Sequence, residues 1–270
     1  MYAGRMMEDE SRGIRKFESL VNFRDIGGLT TADGRRMRTG FLFRSDEPSK
    51  LNVRDIDRFK RLSLKLICDL RTPNERRSRI ARFVDARSTE IVNVPFYQND
   101  EDYTRFEIYK QLMKTVRTVD FYQMMLDFYR KVVFHSTGQV RTIMTLLADK
   151  GDAPALIHCA SGKDRTGMIA ALIQLLAGVP RHAVVQDYLL SNALNKDKTE
   201  QAVKWLRTFT LFRLSRQRIM PLLEVRREFL EEALDELFRR HESVENYFIQ
   251  ACGVEETKLE RFKASLVVRY

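Results

Sequence analysis

Residues 155–176 read ALIHCASGKDRTGMIAALIQLL, and this stretch decides the fold. Ala155 to Ile157 is a short apolar run that predicts a buried strand, and Met168 to Leu176 predicts a buried helix. The tight loop between them contains Cys159 and, six residues later, Arg165. A strand, a tight loop and a helix aim backbone N–H groups and the positive end of the helix dipole at one point. The stretch therefore predicts an anion-binding loop in which a thiol ionises readily.

The residue types in this loop match the needs of phosphate monoester hydrolysis. That reaction requires a strong nucleophile, donors for three equatorial oxygens and a proton for the leaving group. Cys159 is the predicted nucleophile, and Arg165 offers a planar fork that holds two phosphate oxygens. The predicted substrate-binding residues are the other members of the loop: His158, Ala160, Ser161, Gly162, Lys163 and Thr166.

Three of these loop residues have more specific predicted roles. Gly162 is expected to permit a backbone turn that a Cβ obstructs. We expect the Thr166 hydroxyl to donate to the thiolate, and His158 to order the loop from behind. The loop is thus predicted to be shaped by its own residues and by the chain behind it.

The net charge and the cysteine positions limit the classes of partner and cofactor that the protein is expected to bind. The formal net charge is +10, which favours phosphorylated substrates, anionic lipid head groups or nucleic acid. The basic residues are scattered rather than blocked, so we predict no nucleic-acid partner. The three cysteines lie far apart without a Cys/His cluster, which argues against a disulfide framework and a zinc site. We therefore predict no metal and no cofactor.

The first ten residues, MYAGRMMEDE, lack the apolar core and cleavage site of a signal peptide. Together with the sparse cysteines, this predicts a cytoplasmic protein, with secretion by a non-classical route left as the alternative.

Strand and helix patterns alternate up to residue 176, and helical patterns alone follow. The predicted strands are 40–44, 64–70, 91–96 and 155–157, and the predicted helices before the loop are 53–62, 121–133 and 140–148. That order indicates an α/β fold with a largely parallel central sheet flanked by helices and a helical C-terminal layer.

Residues 1–16 are predicted to be a flexible tail and residues 17–270 a single domain. Within that domain we expect a lid-like segment at about 97–135, an exposed basic segment at 75–83 and a helical part at 196–270. The helical part is predicted to break at Pro221 and Gly253, with an amphipathic helix over 222–240.

The loop sequence also resembles a known signature. HCASGKDRTG at 158–167 is similar to the His-Cys-(five residues)-Arg-Thr/Ser-Gly motif of cysteine-dependent protein tyrosine phosphatases, in the version of the atypical bacterial and fungal tyrosine/serine phosphatases. Four other segments resemble motifs of that family: NFRDIGG at 22–28, LFRSD at 42–46, DLRTPNE at 69–75 and DYLLSN at 187–192. The resemblance covers most of residues 17–269. It implies a tyrosine phosphatase-like fold and metal-independent hydrolysis through a phosphocysteine intermediate.

The resemblance implies that Asp164, inside the loop, is the general acid. Many tyrosine phosphatases carry the acid in a Trp-Pro-Asp motif. The single tryptophan here is Trp205, which lies in the predicted C-terminal helical part and is not followed by Pro-Asp. Asp100 and Asp102, in the lid-like segment, are the alternatives. Two further aspartates precede the central strand and are expected at its wrong end, Asp149 and Asp152.

The implied substrates are phosphorylated proteins, with phosphotyrosine first and phosphoserine or phosphothreonine beside it, and phosphoinositides. Lys163 adds a second cation to the loop, which favours polyanionic head groups. Peripheral membrane contact through the 222–240 helix is an alternative to core packing for that helix. The sequence gives no oligomeric state.

Two functions of other classes compete with hydrolysis. A catalytically silent phosphate-binding module would use the same loop, but silent relatives usually lack the cysteine or the arginine. Sulfur transfer of the rhodanese kind also places a cysteine in an anion-binding loop, but leaves the Lys-Asp-Arg-Thr-Gly sequence unexplained.

Overall fold

The computed structural model describes residues 17–77, 88–96, 107, 110, 113–115 and 118–268. In this part of the chain the strands are β1 (Arg24–Asp25), β2 (Arg36–Met37), β3 (Leu42–Ser45), β4 (Leu66–Asp69), β5 (Glu90–Asn93), β6 (Ala155–His158) and β7 (Val267–Val268). Five of them form one sheet in the order β1-β3-β6-β4-β5, in which only the β1–β3 pair is antiparallel. The predicted α/β fold with a largely parallel sheet is confirmed.

The helices of the described residues are α1 (Val53–Lys60), α2 (Pro73–Arg77), α3 (Phe121–Arg130), α4 (Thr137–Lys150), α5 (Arg165–Leu176), α6 (Arg181–Leu194), α7 (Lys196–Phe209), α8 (Arg216–Leu223), α9 (Arg227–His241), α10 (Val244–Asn246) and α11 (Glu256–Ser265). A 3-10 turn at Pro48–Lys50 and π turns at Lys131–His135 and Tyr247–Ala251 complete the list. The side chain of Asn52 caps α1 by accepting from the N–H of Asp55 at 2.9 Å.

Strand alternation divides the core between the two faces of the sheet. Phe43, Ile67 and Leu156 face a smaller cluster that includes Phe59 of α1. The neighbouring positions on the same strands face the main core, together with α5. Because α5 is apolar on all sides and nearly every one of its residues is buried, it can only be a central helix.

The register brings three strand ends to one edge of the sheet. His158 at the end of β6 pairs with Ser45 of β3 on one side and Asp69 of β4 on the other. The chain leaving β6 passes over these carboxyl ends before it enters α5. Ligands of parallel α/β sheets bind at this edge.

The C-terminal half differs from the sequence prediction in three places. Pro221 lies inside α8 and does not end it, because its missing N–H removes only one bond from a short helix and its ring is buried. The break comes at Glu224, whose backbone is extended, so the predicted helix 222–240 is instead α9. The predicted helical part 196–270 also contains a strand that the pattern did not indicate, Val267–Val268, which pairs with Arg36–Met37 as a two-stranded ribbon.

The predicted lid is corrected at its C-terminal end. Residues 121–135 form α3 and a π turn, and Met125, Leu126 and Tyr129 are buried in the main core. Because these side chains pack against the rest of the core, this part is not a lid. Most of 97–117 lies outside the described residues, as do the predicted tail 1–16 and residues 78–83 of the predicted exposed segment.

None of the helices that the structure describes is long and apolar enough to cross a bilayer.

Candidate active site

The predicted anion-binding loop connects β6 to α5, as expected. Cys159 follows β6 directly and is 1% exposed, so its thiol lies on the floor of the loop. The N–H of Gly162 donates to Cys159 Sγ at 3.2 Å. Helix α5 begins at Arg165 and has no side-chain cap, because Asp164 at the N-cap position makes no capping hydrogen bond. The N–H groups of the first turn are therefore left for an anion in the loop.

Gly162 is required by geometry, which confirms its predicted conformational role. Its φ of 67° lies in the left-handed region, and a Cβ at this position would come within 2.2 Å of the Ser45 carbonyl oxygen. The Gly162 carbonyl in turn accepts from Asn22 Nδ2 at 2.7 Å and from Arg44 Nη2 at 2.8 Å. The loop is thus held against the end of β3 and against the chain before β1.

Two buried arginines lie behind the loop and share one carboxylate. Arg24 Nε donates to Asp187 Oδ1 at 2.9 Å, and Arg44 Nη1 lies 3.5 Å from Asp187 Oδ2. Arg24 also donates to Asn22 Oδ1 at 2.6 Å and so orients the amide that holds Gly162. Burial, and then the charge of Arg24, lowers the pKa of Arg44 to about 9, while a Cys159 thiolate acts in the opposite direction. The cluster carries an excess positive charge that favours an anion at the loop.

Arg165 is fixed by a carboxylate that the sequence prediction missed. Its Nη1 and Nη2 atoms each donate to one oxygen of Glu75 at 2.8 Å, and Nη1 also donates to the Leu70 carbonyl at 3.2 Å. Burial would lower the pKa of Arg165, but the hydrogen bonds to Glu75 and the negative charges of a Cys159 thiolate, Glu75 and Asp164 together outweigh it, and the pKa is raised. Glu75 lies at the start of the segment that the sequence predicts to be exposed and basic, but α2 turns its side chain toward Arg165.

The contacts of Arg165 still leave a fork for an anion. A guanidinium has five N–H donors, and three of them point at Glu75 and Leu70. In the part of the chain that the structure describes, the Nε–H and the second Nη2 hydrogen have no partner. These two hydrogens lie on the same edge of the plane, which is the edge that binds two oxygens of a phosphate.

Asp164 is surrounded by hydrogen-bond donors. Tyr129 Oη donates to its Oδ1 at 3.0 Å, and Lys163 Nζ lies 2.9 Å from its Oδ2. The hydroxyls of Tyr129 and Tyr188 are 2.6 Å apart. Burial, and then the nearby Asp164 carboxylate, raises the pKa of Tyr129 well above its ordinary value, so the phenol remains a donor.

The Lys163 ammonium group contacts other parts of the protein, although the sequence predicts that it binds substrate in the loop. Besides Asp164, its Nζ donates to the Leu222 carbonyl at the end of α8 at 3.1 Å. The side chain is 10% exposed and therefore lies under α8. Lys163 links the loop to the C-terminal helices in this structure.

His158 lies behind the loop, where its predicted role is to order the loop. Its contacts are with Asp69 and the Cys159 backbone. It is buried, with Nε2 3.7 Å from Asp69 Oδ1 and Nδ1 3.3 Å from the Cys159 carbonyl oxygen. Burial lowers the pKa of His158 although Asp69 acts against this, so the imidazole is neutral at pH 7. Asp69 itself makes a buried ion pair with Arg71 at 2.8 Å, which braces the strand end.

The remaining predicted residues divide between the loop and other parts of the fold. Ala160 and Ser161 are half-buried at the rim of the loop. Thr166 is fully buried, but its hydroxyl makes no hydrogen bond to Cys159 or to any other described residue. Asp149 pairs with Lys258 and Asp152 with Arg38, before the start of β6 and so at the wrong end of the strand. Asp100 and Asp102 lie outside the described residues.

All three cysteines are free and buried. Burial raises the pKa of Cys68 to about 12 and that of Cys252 to about 11, which makes them unreactive core thiols. No cluster of three or more His, Cys, Asp or Glu side chains suited to a metal ion occurs among the described residues.

Comparison with known proteins gives the family. The model of the tyrosine phosphatase family matches residues 15–268. A protein of Cupriavidus necator named "Putative tyrosine-protein phosphatase" is 28% identical over 90% of this chain and 85% of its own length. The triple specificity protein phosphatase PtpB of Mycobacterium tuberculosis is 29% identical over 94% of this chain and 99% of its own.

Among solved structures, TpbA of P. aeruginosa matches 66% of this chain and 88% of its own, with a TM-score of 0.35 and 17% identity. That likeness is too low to bear on the fold. The family match, in contrast, spans the whole described sheet, the loop and the C-terminal helices. The chain belongs to the tyrosine phosphatase family and is a phosphatase, a hydrolase of phosphoric monoesters.

Proposed function

We propose that the protein hydrolyses phosphate monoesters through a phosphocysteine intermediate on Cys159, without a metal or cofactor. The observation that supports this most is the placement of one thiol before the uncapped N-terminus of α5, near enough to Arg165 for the charge of a thiolate to raise the pKa of that guanidinium. The Gly162 N–H already donates to Cys159 Sγ at 3.2 Å, a contact that stabilises negative charge on sulfur. Cys159 is the nucleophile and Arg165 binds the phosphoryl oxygens.

In the first step the Cys159 thiolate attacks phosphorus, an S–P bond forms and the bond from phosphorus to the leaving oxygen breaks. Asp164 gives its proton to that oxygen. In the second step water attacks the phosphocysteine, the S–P bond breaks, and inorganic phosphate and the thiolate are released. Asp164 accepts the proton from the water, so that the enzyme returns to its starting state.

The loop backbone supplies the electrostatic part of the mechanism. The phosphoryl group spreads charge over three equatorial oxygens, and its stabilisation comes mainly from preorganised donors. Ala160, Ser161, Gly162 and the first turn of α5 supply N–H groups, and Arg165 supplies its two remaining hydrogens. Glu75 positions Arg165, and Asn22 positions Gly162.

The proposed substrates are phosphotyrosine, phosphoserine or phosphothreonine in proteins, and phosphoinositides. The name of the Mycobacterium tuberculosis relative, a triple specificity protein phosphatase, supports a broad range. Lys163 would have to leave Asp164 and Leu222 in order to reach a second phosphate of an inositol head group. The need for a reduced thiol supports the cytoplasm as the predicted location.

Hydrolysis of an aryl phosphate in the presence of EDTA tests the reaction class. Wild type should turn over, and Cys159→Ser should lose activity while it keeps its fold by circular dichroism. Activity that disappears with EDTA, or that persists in Cys159→Ser, would contradict the proposal.

Asp164→Asn tests the acid. A general acid contributes about a hundredfold or more when the leaving group is poor, and little when it is good. The variant should therefore lose far more activity on phenyl phosphate than on an aryl phosphate with an acidic phenol. An equal loss on both substrates would assign the acid elsewhere.

A further inference from the structure

The connection between α7 and α8 exposes large apolar side chains to solvent. Trp205 is 58% exposed, Leu211 70% and Phe212 67%, and all three occur within eight residues of sequence. Trp205 stacks on Phe209 with ring centroids 4.6 Å apart. We call Trp205, Phe209, Leu211 and Phe212 the aromatic tip. The other large apolar side chains that are exposed in the described residues occur singly, as is ordinary for a soluble surface.

The backbone holds the aromatic tip in this exposed arrangement. Leu211 and Phe212 have φ values of 51° and 59°, a left-handed conformation that bulky residues rarely adopt. The N–H of Phe212 donates to the Arg207 carbonyl at 2.7 Å, and the N–H of Leu211 donates to the Thr208 carbonyl at 3.1 Å. The tip is therefore an ordered turn that presents its side chains outward.

The charged residues in the segment that carries the tip have one sign. Residues 201–223 include Lys204, Arg207, Arg213, Arg216 and Arg218 but no Asp or Glu. Arg207 lies over the Phe212 ring at 5.6 Å from its centroid. Arg216 is paired with Glu200, which directly precedes this segment, so Arg207 and Arg213 are the cations that flank Leu211 and Phe212.

We infer that the aromatic tip docks on an anionic lipid bilayer. Amphipathic aromatic rings partition into the membrane interface, and basic residues beside them are attracted to acidic head groups. A second copy of this chain fits less well, because two tips face to face would bring like charges together. The predicted membrane contact through 222–240 is not supported, because α9 buries its apolar face in the main core.

The docking surface is separate from the phosphate loop but connected to it. Along α7 the tip is about 15 Å from Lys198, which pairs with Asp46 at the end of β3. Helix α8 returns to the loop, where the Leu222 carbonyl accepts from Lys163. The inference concerns binding at the tip and does not depend on the chemistry at Cys159.

The single tryptophan gives a direct assay, since Trp205 lies in the tip itself. Its emission is titrated with vesicles of phosphatidylcholine alone and of phosphatidylcholine with phosphatidylserine. We expect a saturable blue shift with the phosphatidylserine vesicles and little change with phosphatidylcholine alone. Because phosphatidylserine is a phosphodiester, this binding should be the same in Cys159→Ser, which separates docking from substrate binding at the loop.

Two variants that keep Trp205 dissect the interaction. Removing two cations in Arg207→Gln/Arg213→Gln should weaken vesicle binding about 25-fold, at about fivefold per cation. Phe212→Ser should weaken it about tenfold or more. The matched controls are Val53→Ser, at an apolar residue 83% exposed on α1, and Arg239→Gln on α9, and both should bind as wild type does. All four variants should hydrolyse a soluble aryl phosphate at the wild-type rate.

Absence of a blue shift with phosphatidylserine vesicles would overturn the inference. So would equal binding to both kinds of vesicle, or losses in the tip variants no larger than in the controls. A wild-type dimer in sedimentation that Phe212→Ser dissociates, without a change in vesicle binding, would assign the tip to self-association. A loss confined to phosphopeptide hydrolysis would assign it to a protein substrate.

Discussion

Replacing Glu75 by Gln tests whether the position of Arg165 limits catalysis. Glutamine keeps one carbonyl oxygen for one of the two 2.8 Å hydrogen bonds but turns an NH2 group toward the other guanidinium hydrogen. Breaking a buried ion pair on one side costs about 3 to 5 kcal/mol. The Glu75 side chain is 32% exposed and that of Arg165 is 13% exposed, so solvent reduces this to about 2 to 3 kcal/mol.

If that loss falls on the transition state, kcat/KM decreases about 30- to 150-fold. The assay is steady-state hydrolysis of an aryl phosphate. Glu200→Gln is the matched control, because Glu200 also holds an arginine, Arg216, with two hydrogen bonds, but at the surface. Its activity on this soluble substrate should equal that of wild type. A Glu75→Gln enzyme within about threefold of wild type would refute the reasoning.

The same pair makes a prediction about pH. Burial raises the pKa of Glu75, but the hydrogen bonds and charge of Arg165, with the Thr72 N–H and the charge of Arg71, together outweigh it and hold the pKa below its ordinary value of 4.5. A depressed carboxyl pKa contributes stability that is present above the unfolded value and is lost as the pH falls through the folded value. Acidification below about pH 4.5 should therefore destabilise wild type more than Glu75→Gln in urea titrations.

Two further substitutions test the loop and its support. Gly162→Ala should destabilise the fold by about 3 kcal/mol or more and abolish activity, because its Cβ meets the Ser45 carbonyl oxygen. Gly138→Ala, with open space around the new Cβ, should be neutral or slightly stabilising in the same urea titrations, and a similar cost for both would contradict the geometry. Tyr129→Phe removes the phenol that donates to Asp164, so kcat should decrease about tenfold, most for poor leaving groups. An unchanged kcat would show that this hydrogen bond does not position the acid.

The sequence predicts the loop between β6 and α5 well because its pattern is local. Cys159, Gly162 and Arg165 lie within seven consecutive residues, and the apolar runs on either side identify the strand and the helix. β6 and α5 are buried on all sides, so both are continuous apolar runs in the sequence and are easy to recognise. The fold class follows from the same alternation of strands and helices.

The support of the loop could not be predicted in the same way, because its partners are distant in the chain. Glu75 and Arg165 are 90 residues apart, and Arg24 and Asp187 are 163 apart. The segment DLRTPNE at 69–75 does indicate a short helix, since proline is common in the first turn of a helix. In that helix the Glu75 side chain turns back toward the N-terminus, where it accepts from the Thr72 N–H. Pairing that glutamate with a particular arginine requires the sheet register.

The short elements near the C-terminus were not predictable for a different reason. Val267–Val268 is a strand only because Arg36–Met37 is beside it, and two residues carry no period of their own. The presence of Pro221 predicts a break, but near the end of a short helix a proline costs only one hydrogen bond. Tertiary packing decides such cases.

Trapping the covalent intermediate tests the central claim most directly. The enzyme is mixed with excess aryl phosphate, quenched in acid during turnover, digested and examined by mass spectrometry. We predict one phosphoryl group on the peptide that contains Cys159, and none in the same peptide of Cys159→Ser. Turnover without a phosphorylated Cys159 peptide, or with the phosphoryl group on another residue, would contradict the mechanism.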